Sequence, residues 1–408
     1  VSAAPDQERH ILTDIQTTEI PTTGTAKPGT PAADPRPDLL GLSRERLAGT
    51  IAPVTDRPFR AKQIYQALYE RAVRDFSEIT ELPKELRDRL SQEFRVGLPE
   101  ITSRHLSADG TGKYLFRLRD GATIEAVDIP ERHRRTFCIS SQAGCALACS
   151  FCVTGYWGAG RNLTAGEIVG QVLAIRADRD LPMEGLNLVF MGMGEPLLNV
   201  GNVKAALDIL TEWISPHRIT VSTVGILPGL EEMARWERRP NLAISLHAPD
   251  EESRGRIMPI NRTYPLAELM PALKRFPLEK GRKLTFEYIL IRDVNDSLRD
   301  ADRLSHLLSG LRAKVNLIPV NPDAVLGDRM VPPSEERVEA FKERLRRHGW
   351  IATVRRRRGD DVSAACGQLR AFGRDPRGVR ACGDARGKGS PAEGQGYTRL
   401  GEGAPSKV

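Results

Sequence analysis

Cys145, Cys149 and Cys152 stand in a C-x3-C-x2-C pattern within Cys-Ile-Ser-Ser-Gln-Ala-Gly-Cys-Ala-Leu-Ala-Cys-Ser-Phe-Cys, residues 138–152, which holds four of the chain's six cysteines. Three thiolates can hold three irons of a cubane [4Fe-4S] cluster and leave the fourth iron open to a ligand. A closed electron-transfer cluster or a structural zinc normally takes four protein ligands. No nearby His or second C-x2-C pair supplies that fourth ligand, which disfavours zinc, and buried inert thiols are the plainer alternative. Phe151, inside the last spacing, would pack on a cluster and limit its contact with solvent.

Other residues of chemical interest lie far apart. Met191-Gly192-Met193-Gly194-Glu195-Pro196 places two glycines, which let backbone approach a ligand closely, beside a carboxylate. Ser222, the run Ser245-Leu246-His247, and Asn321 each follow or end an apolar stretch. Singly each reads as an ordinary turn cap, and together they offer one polar side chain per strand end around a common pocket. Cys366 follows Arg358-Gly-Asp-Asp-Val-Ser-Ala-Ala and precedes Gly-Gln-Leu, a context that suggests a shaped loop. Glu125, in Thr-Ile-Glu-Ala-Val-Asp-Ile-Pro, has the pattern of a solvent-facing strand residue or of a base leading toward the cysteines.

These residues need a scaffold, and the hydrophobic pattern supplies one. After the cysteines, apolar runs at 186–191, 219–224, 242–246, 284–291 and 315–320 alternate with helical patterns such as 203–214 and 338–347. Thr164-Ala-Gly-Glu167 is a capping box that opens another helix. With the short run 137–140 this makes six strands, an α/β pattern of continuous apolar strands and covering helices. Six are too few to close an eight-fold barrel, so the expectation is an open, partial (β/α)6 barrel with its site at the C-terminal strand ends.

Upstream, residues 39–99 read as a small helical accessory domain, with Phe59, Ile64 and Leu68 on one face, Leu86, Leu90 and Phe94 on another, and Pro83 at a helix start. Residues 100–130 read as a β-type linker with turns at Asp109-Gly110 and Asp120-Gly121. The core is expected over 131–369. Residues 1–38 read as a disordered leader and 370–408 as a disordered basic tail with Cys382 as a bystander.

The formal charge is +7, and basic clusters lie at 132–135, 344–347 and 355–358. Each alone is compatible with a solvated face; together they favour a nucleic acid. Arg60, Lys62, Arg71 and Arg74 are candidate phosphate contacts. No apolar run is long enough to span a membrane and no export signal is evident, so a cytoplasmic protein with no membrane association is expected.

The cysteine triad resembles that of the radical S-adenosylmethionine superfamily. With Phe-Arg-Ala-Lys-Gln-Ile at 59–64, Met-Gly-Met-Gly-Glu-Pro-Leu at 191–197, Ile-Ser-Leu-His-Ala-Pro at 244–249 and Ala-Ala-Cys-Gly-Gln-Leu at 364–369, the chain from about 39 to 369 resembles the RlmN family of RNA adenine methyltransferases. The resemblance implies a [4Fe-4S] cluster on Cys145, Cys149 and Cys152, and two S-adenosylmethionine molecules per turnover. The cofactor contacts it implies are Gly194, Glu195, Ser222, Ser245, Leu246, His247 and Asn321. Carbon 2 of adenine lies between two ring nitrogens and is electron-poor, so simple displacement on a methyl sulfonium fails and a radical route is needed.

In the family one cofactor molecule methylates a cysteine, here Cys366, and a second yields a deoxyadenosyl radical that takes a hydrogen from the methylated thiol. The resulting carbon radical adds to adenine. A base removes the ring proton; Glu125, thirteen residues before Cys138, matches that position. Cys138 then attacks the thioether and leaves a Cys138–Cys366 disulfide. The implied partners are 23S rRNA and tRNA, with an electron donor such as flavodoxin or ferredoxin, for a monomeric enzyme. Two readings stay open: the Cfr-type enzymes, which methylate carbon 8 with the same cysteine set, and a non-catalytic iron–sulfur or zinc RNA-binding assembly factor.

Overall fold

The computed structural model describes residues 34–370 apart from 56, 133, 329, 356, 357 and 366. The expected leader over 1–33, the tail beyond 370 with Cys382, and Cys366 itself lie outside the described residues.

Ten strands form one sheet in sequence order. They are β1 (Glu100–Leu106), β2 (Gly112–Arg117), β3 (Thr123–Glu131), β4 (Arg134–Cys138), β5 (Leu186–Phe190), β6 (Ile219–Thr223), β7 (Asn241–Ser245), β8 (Leu284–Leu290), β9 (Ala313–Pro319) and β10 (Ala352–Val354). Strands β1 to β4 pair antiparallel and β4 to β10 pair parallel. The parallel part is the expected open barrel, six strands each followed by a helix, with β10 as a short seventh strand that the sequence pattern did not suggest.

The segment read as a linker is not separate from this sheet. Its turns at Asp109-Gly110 and Asp120-Gly121 join β1, β2 and β3, and β3 pairs with β4 through Val127 opposite Cys138.

The crossovers are α4 (Val153–Tyr156) with α5 (Ala165–Asp178), α6 (Val200–Leu210), α7 (Leu227–Ala234), α8 (Glu251–Ile257) with α9 (Leu266–Arg275), α10 (Leu298–Leu307) and α11 (Glu335–Arg347). Ahead of them lie α1 (Arg44–Ile51), α2 (Pro58–Tyr69) and α3 (Lys84–Glu93). Thr164 and Glu167 form the expected capping box at the start of α5. Strand β8 is buried at all seven positions, as a central parallel strand covered on both faces must be.

The N-terminal helices rest on the core through backbone. Gly41 and Gly166 of α5 approach so closely that a Cβ on Gly166 would stand 2.3 Å from the Leu40 carbonyl oxygen. Tyr69 donates to the Leu42 carbonyl and accepts the Gly41 N–H, and Tyr65 donates to Glu212. The chain joins this packing before residue 39, since Asp38 bridges to Arg95 and the Pro37 carbonyl accepts the Arg95 N–H. Ile64 and Leu68 are buried as expected, but Phe59 is 53% exposed. It stands in the first turn of α2, beyond the packed face, with the Arg60 guanidinium over its ring. Among the described residues no helix is long and apolar enough to cross a membrane.

Candidate active site

The loop after β4 carries the cysteine triad. The Cys145 N–H donates to the Gly158 carbonyl and the Cys152 N–H to the Cys149 carbonyl, while Ala148 between them takes a left-handed conformation, φ 50°. A non-glycine residue there costs energy and persists only where surroundings enforce it. Cys149 is buried and Cys145 and Cys152 are half-buried, and the described cysteines form no disulfide. Burial pushes the Cys145 thiol up to about 12 and the Cys149 thiol well above its usual range, and each of the two rises further because of the neighbouring thiols.

That mutual effect places the three sulfurs together in a poorly solvated recess, where a bound cation would reverse the cost of ionising them. Among the described residues no three His, Cys, Asp or Glu side chains are placed to converge on one metal ion. Three thiolates are the donor set that holds three irons of a cubane and leaves the fourth open, whereas a structural zinc takes four protein ligands, so the triad fits the cluster.

Arg254 is the other unusual group in this recess. It is fully buried, and it donates to the carbonyls of Val224, Leu246 and Tyr264 and to Asn261 Oδ1. Burial pulls it down to about 10, while Cys149 and Glu251 favour its charge. A cation held by neutral carbonyls beside thiols suits an anionic cluster. In sequence it looks like a solvent-facing residue of Glu-Glu-Ser-Arg-Gly-Arg-Ile, and only burial distinguishes it.

The proposed cofactor contacts stand where the sequence put them, at the C-terminal ends of β5, β6, β7 and β9. Gly194 has φ 93°, and a Cβ there would meet Gln142 at 2.4 Å. Glu195 is buried; its Oε1 accepts the Leu197 N–H and its Oε2 the Val224 N–H, while its own N–H donates to Gln142. Its carboxylate therefore ties the β5 turn to the end of β6, and burial pushes it up to about 7.

Ser222 and Ser245 hydroxyls lie 3.4 Å apart, and Leu246 and Asn321 are buried. His247 is buried with φ 60°. Its Nδ1 accepts the Ile289 N–H, so the proton of the neutral ring sits on Nε2. Burial, with Arg254 nearby, holds it down to about 3. Phe151 meets the His247 ring edge-on, with centroids 4.7 Å apart, so the aromatic of the triad touches a proposed cofactor contact instead of open solvent.

Glu125 and Cys138 lie on one face of the sheet, because Val127 pairs with Cys138 and side chains alternate along β3. Glu125 is 1% exposed, not a solvent-facing strand residue. Its Oε1 is 3.1 Å from Lys113 Nζ and its Oε2 accepts the Arg370 N–H at 2.8 Å. Burial raises its proton affinity and these two donors pull it back.

Cys366 lies outside the described residues, but both flanks of its segment are tethered. The Gly367 carbonyl accepts the Val153 N–H, the Leu369 carbonyl accepts the Thr154 hydroxyl, and Gln368 donates to the Pro322 carbonyl. On the other flank, Asp361 accepts the Ala108 N–H and Asp109 accepts the Gly359 N–H.

The basic clusters are partly spent within the fold. Arg135 forms a two-pronged pair with buried Asp128, and Arg344 does so with Asp302. Arg71 pairs with Glu81, and Arg60 donates to Gln63 and the Glu81 carbonyl. Lys62, Arg74, Arg132 and Arg346 stay exposed, and Arg356 and Arg357 lie outside the described residues.

Residues 139–304 match the radical SAM superfamily model, and residues 37–96 match that of the ribosomal RNA large subunit methyltransferase N-terminal domain. A dual-specificity RNA methyltransferase RlmN of Anaeromyxobacter dehalogenans is 46% identical over 375 residues, covering 88% of this chain and 99% of the relative. The chain belongs to the RlmN family. The RlmN protein of Halorhodospira halophila is 47% identical over 83% of this chain and 95% of its own. The solved structure of a radical SAM methyltransferase from Sphaerobacter thermophilus is 43% identical, with a TM-score of 0.77 over 82% of this chain and 99% of that one. As a radical SAM methyltransferase of the RlmN family, the enzyme uses a [4Fe-4S] cluster and S-adenosylmethionine.

Proposed function

We propose that this protein methylates carbon 2 of an adenine in the peptidyl-transferase centre of 23S rRNA and of the adenine 3′ of the anticodon in tRNA. The observation that carries the reading is the position of Glu125: a buried carboxylate on the face of Cys138 that holds the backbone four residues beyond Cys366. A scaffold that only bound RNA would need neither that carboxylate nor the two cysteines.

Cys145, Cys149 and Cys152 hold the [4Fe-4S] cluster, which with S-adenosylmethionine bound supplies the radical chemistry that an electron-poor carbon demands. Gly194 offers close backbone approach, Ser222 and Ser245 offer hydroxyls, His247 offers an Nε2–H, and Leu246 and Asn321 complete the pocket wall. Glu195 shapes the pocket by fixing the β5 turn, since both its oxygens already serve backbone N–H groups. Phe151 and the buried cation Arg254 exclude water from this end of the barrel.

Cys366 carries the methyl group to the base, and the adduct joins its sulfur to adenine through that carbon. Glu125 takes the ring proton, its burial favouring proton uptake and its two donors preserving the charged form beforehand. Cys138 attacks the Cys366 sulfur, releases methylated RNA and leaves a disulfide that a reductant must open before the next turnover. The target base leaves its stack to reach the recess, with exposed Lys62, Arg74 and Arg132 as phosphate contacts. The enzyme works in the cytoplasm as a monomer, with flavodoxin or ferredoxin as electron donor.

The test is mass spectrometry of nucleosides from separately purified rRNA and tRNA of a deletion strain and its complemented parent. Loss of 2-methyladenosine from both pools is the expected result. Loss from rRNA alone removes the tRNA activity, an 8-methyladenosine signal moves the chemistry to carbon 8, and no change in either pool refutes the assignment.

A further inference from the structure

Lys113 enters so far only as one of the two donors to Glu125, yet it is a buried cation of the sheet that also reaches the chain beside Cys366. It lies on β2 two residues before Leu115, which pairs with Glu125, so the two charged side chains meet diagonally across β2 and β3. Lys113 is 7% exposed and Glu125 1%, and Nζ stands 3.1 Å from Oε1. A lysine is almost never buried unless paired. The same ammonium donates to the Ser363 carbonyl at 3.4 Å, and Glu125 Oε2 accepts the Arg370 N–H at 2.8 Å.

Ser363 lies three residues before Cys366 and Arg370 four after it. One ion pair therefore grips both flanks of the segment that carries the methyl-accepting cysteine. Ser363 is itself held at φ 50°, in the left-handed region that a serine adopts only under constraint. The charged groups facing Glu125 are Lys113 from β2 and Arg370 from the segment itself, whose guanidinium pairs with Asp323 at 2.6 Å.

We propose that Lys113 is a positioning residue which keeps Glu125 charged in its buried setting and, together with it, latches the Cys366 segment until Glu125 takes its proton. This rests on the reading of Glu125 as the base. In that step the ring proton moves to a Glu125 oxygen, and the electron pair of the broken C–H bond stays with adenine. The odd electron of the radical adduct goes back to the one-electron couple that supplies the radical chemistry. The neutral carboxyl no longer attracts Lys113 and accepts a weaker hydrogen bond from the Arg370 N–H, because charge-assisted bonds are the stronger kind. The latch then loosens after the proton has left the ring and before Cys138 must reach the thioether sulfur. The order of events is built into one carboxylate.

Two measurements on the full chain with its cluster test this. In hydrogen exchange, Lys113→Met and Glu125→Gln should each speed exchange of the 363–370 amides about ten- to a hundredfold, the loss of one hydrogen bond to a charged group. Exchange in α5 should stay unchanged and certify folding. Under turnover, Lys113→Met should slow product formation about tenfold or more and accumulate covalent protein–RNA adduct, since adduct formation precedes the impaired step, and Lys113→Arg should restore most of the rate. Unchanged exchange in both variants overturns the latch, and wild-type turnover in Lys113→Met overturns the positioning role. Cys138→Ala serves as the comparator. Adduct there but none in a slowed Lys113→Met enzyme refutes the role of Lys113 alone, whereas no adduct in either variant refutes the reading of the site on which it rests.

Discussion

His247 offers a quantitative check on how dry the proposed cofactor pocket is. Burial, with the Arg254 guanidinium beside it, lowers its pKa from an ordinary 6.5 to about 3. In the unfolded chain the imidazole titrates near 6.5, so between pH 6.5 and 3 the unfolded state binds a proton that the folded state refuses. Stability contributed by the neutral ring is present above pH 6.5 and is lost as pH falls. Between pH 7 and pH 5 the loss from this one group comes to about 2 kcal/mol. The perturbation is His247→Asn. Asparagine tolerates the left-handed backbone at φ 60° and can offer Oδ1 to the Ile289 N–H in place of Nδ1, but it does not titrate. Urea unfolding of both proteins in the same cluster state, at pH 7 and pH 5, should show the wild type losing about 2 kcal/mol more than the variant. Equal losses in the two proteins would mean that protons and water reach His247 freely, and the closed pocket would be wrong.

Other outcomes follow from the same geometry. Cys152→Ala should purify without the iron and visible absorbance of the wild type while its far-ultraviolet circular dichroism is unchanged; a full iron complement would remove Cys152 from the ligand set. Gly194→Ala forces a side chain onto a φ of 93° and against Gln142 at 2.4 Å, and should cost about 2–4 kcal/mol in thermal unfolding and abolish S-adenosylmethionine binding by calorimetry. Cys366→Ala should lose all methyl transfer but keep its RNA affinity in a filter-binding assay, and full activity in that variant would end the two-cysteine mechanism. Arg344→Ala removes a guanidinium already paired with Asp302, so it should leave the salt dependence of RNA binding unchanged, whereas Arg74→Ala should lower its slope by about one phosphate contact.

Much of the scaffold was legible because its signals are local. The apolar runs that became β5 to β9 sit within a residue or two of where the pattern put them, since parallel strands covered by helices are mostly apolar even where Glu287 or Lys314 interrupts a strand. The capping box at Thr164 and the helix start after Pro83 are written in four residues or fewer. The cysteine spacing and the residues at the ends of β5, β6, β7 and β9 were likewise visible as residue types at intervals. They pointed to a cluster, a cofactor pocket and a family before any contact was known.

What the chain alone could not decide is where charge goes once distant segments meet. Glu125 has the pattern of an exposed strand residue; it is buried because β2 and the 363–370 segment close over it, from 12 residues before and 238 or more after in the chain. Nothing in the sequence singled out Lys113 or Arg254 as buried, and Phe59 was read onto a packed helix face but is exposed, because burial is a property of the packed neighbour and not of the residue. Glu195 was read as a cofactor contact, and only the barrel shows that its carboxylate also accepts backbone N–H groups of two loops, one on each oxygen. The basic clusters lost Arg135 and Arg344 to Asp128 and Asp302 on other elements. Residue types and spacing thus determined the chemistry available to this protein. Tertiary structure decided which charges are paired, which are kept dry, and which hold the catalytic segment, because electrostatic energies depend on distance and solvent, and neither is written along the chain.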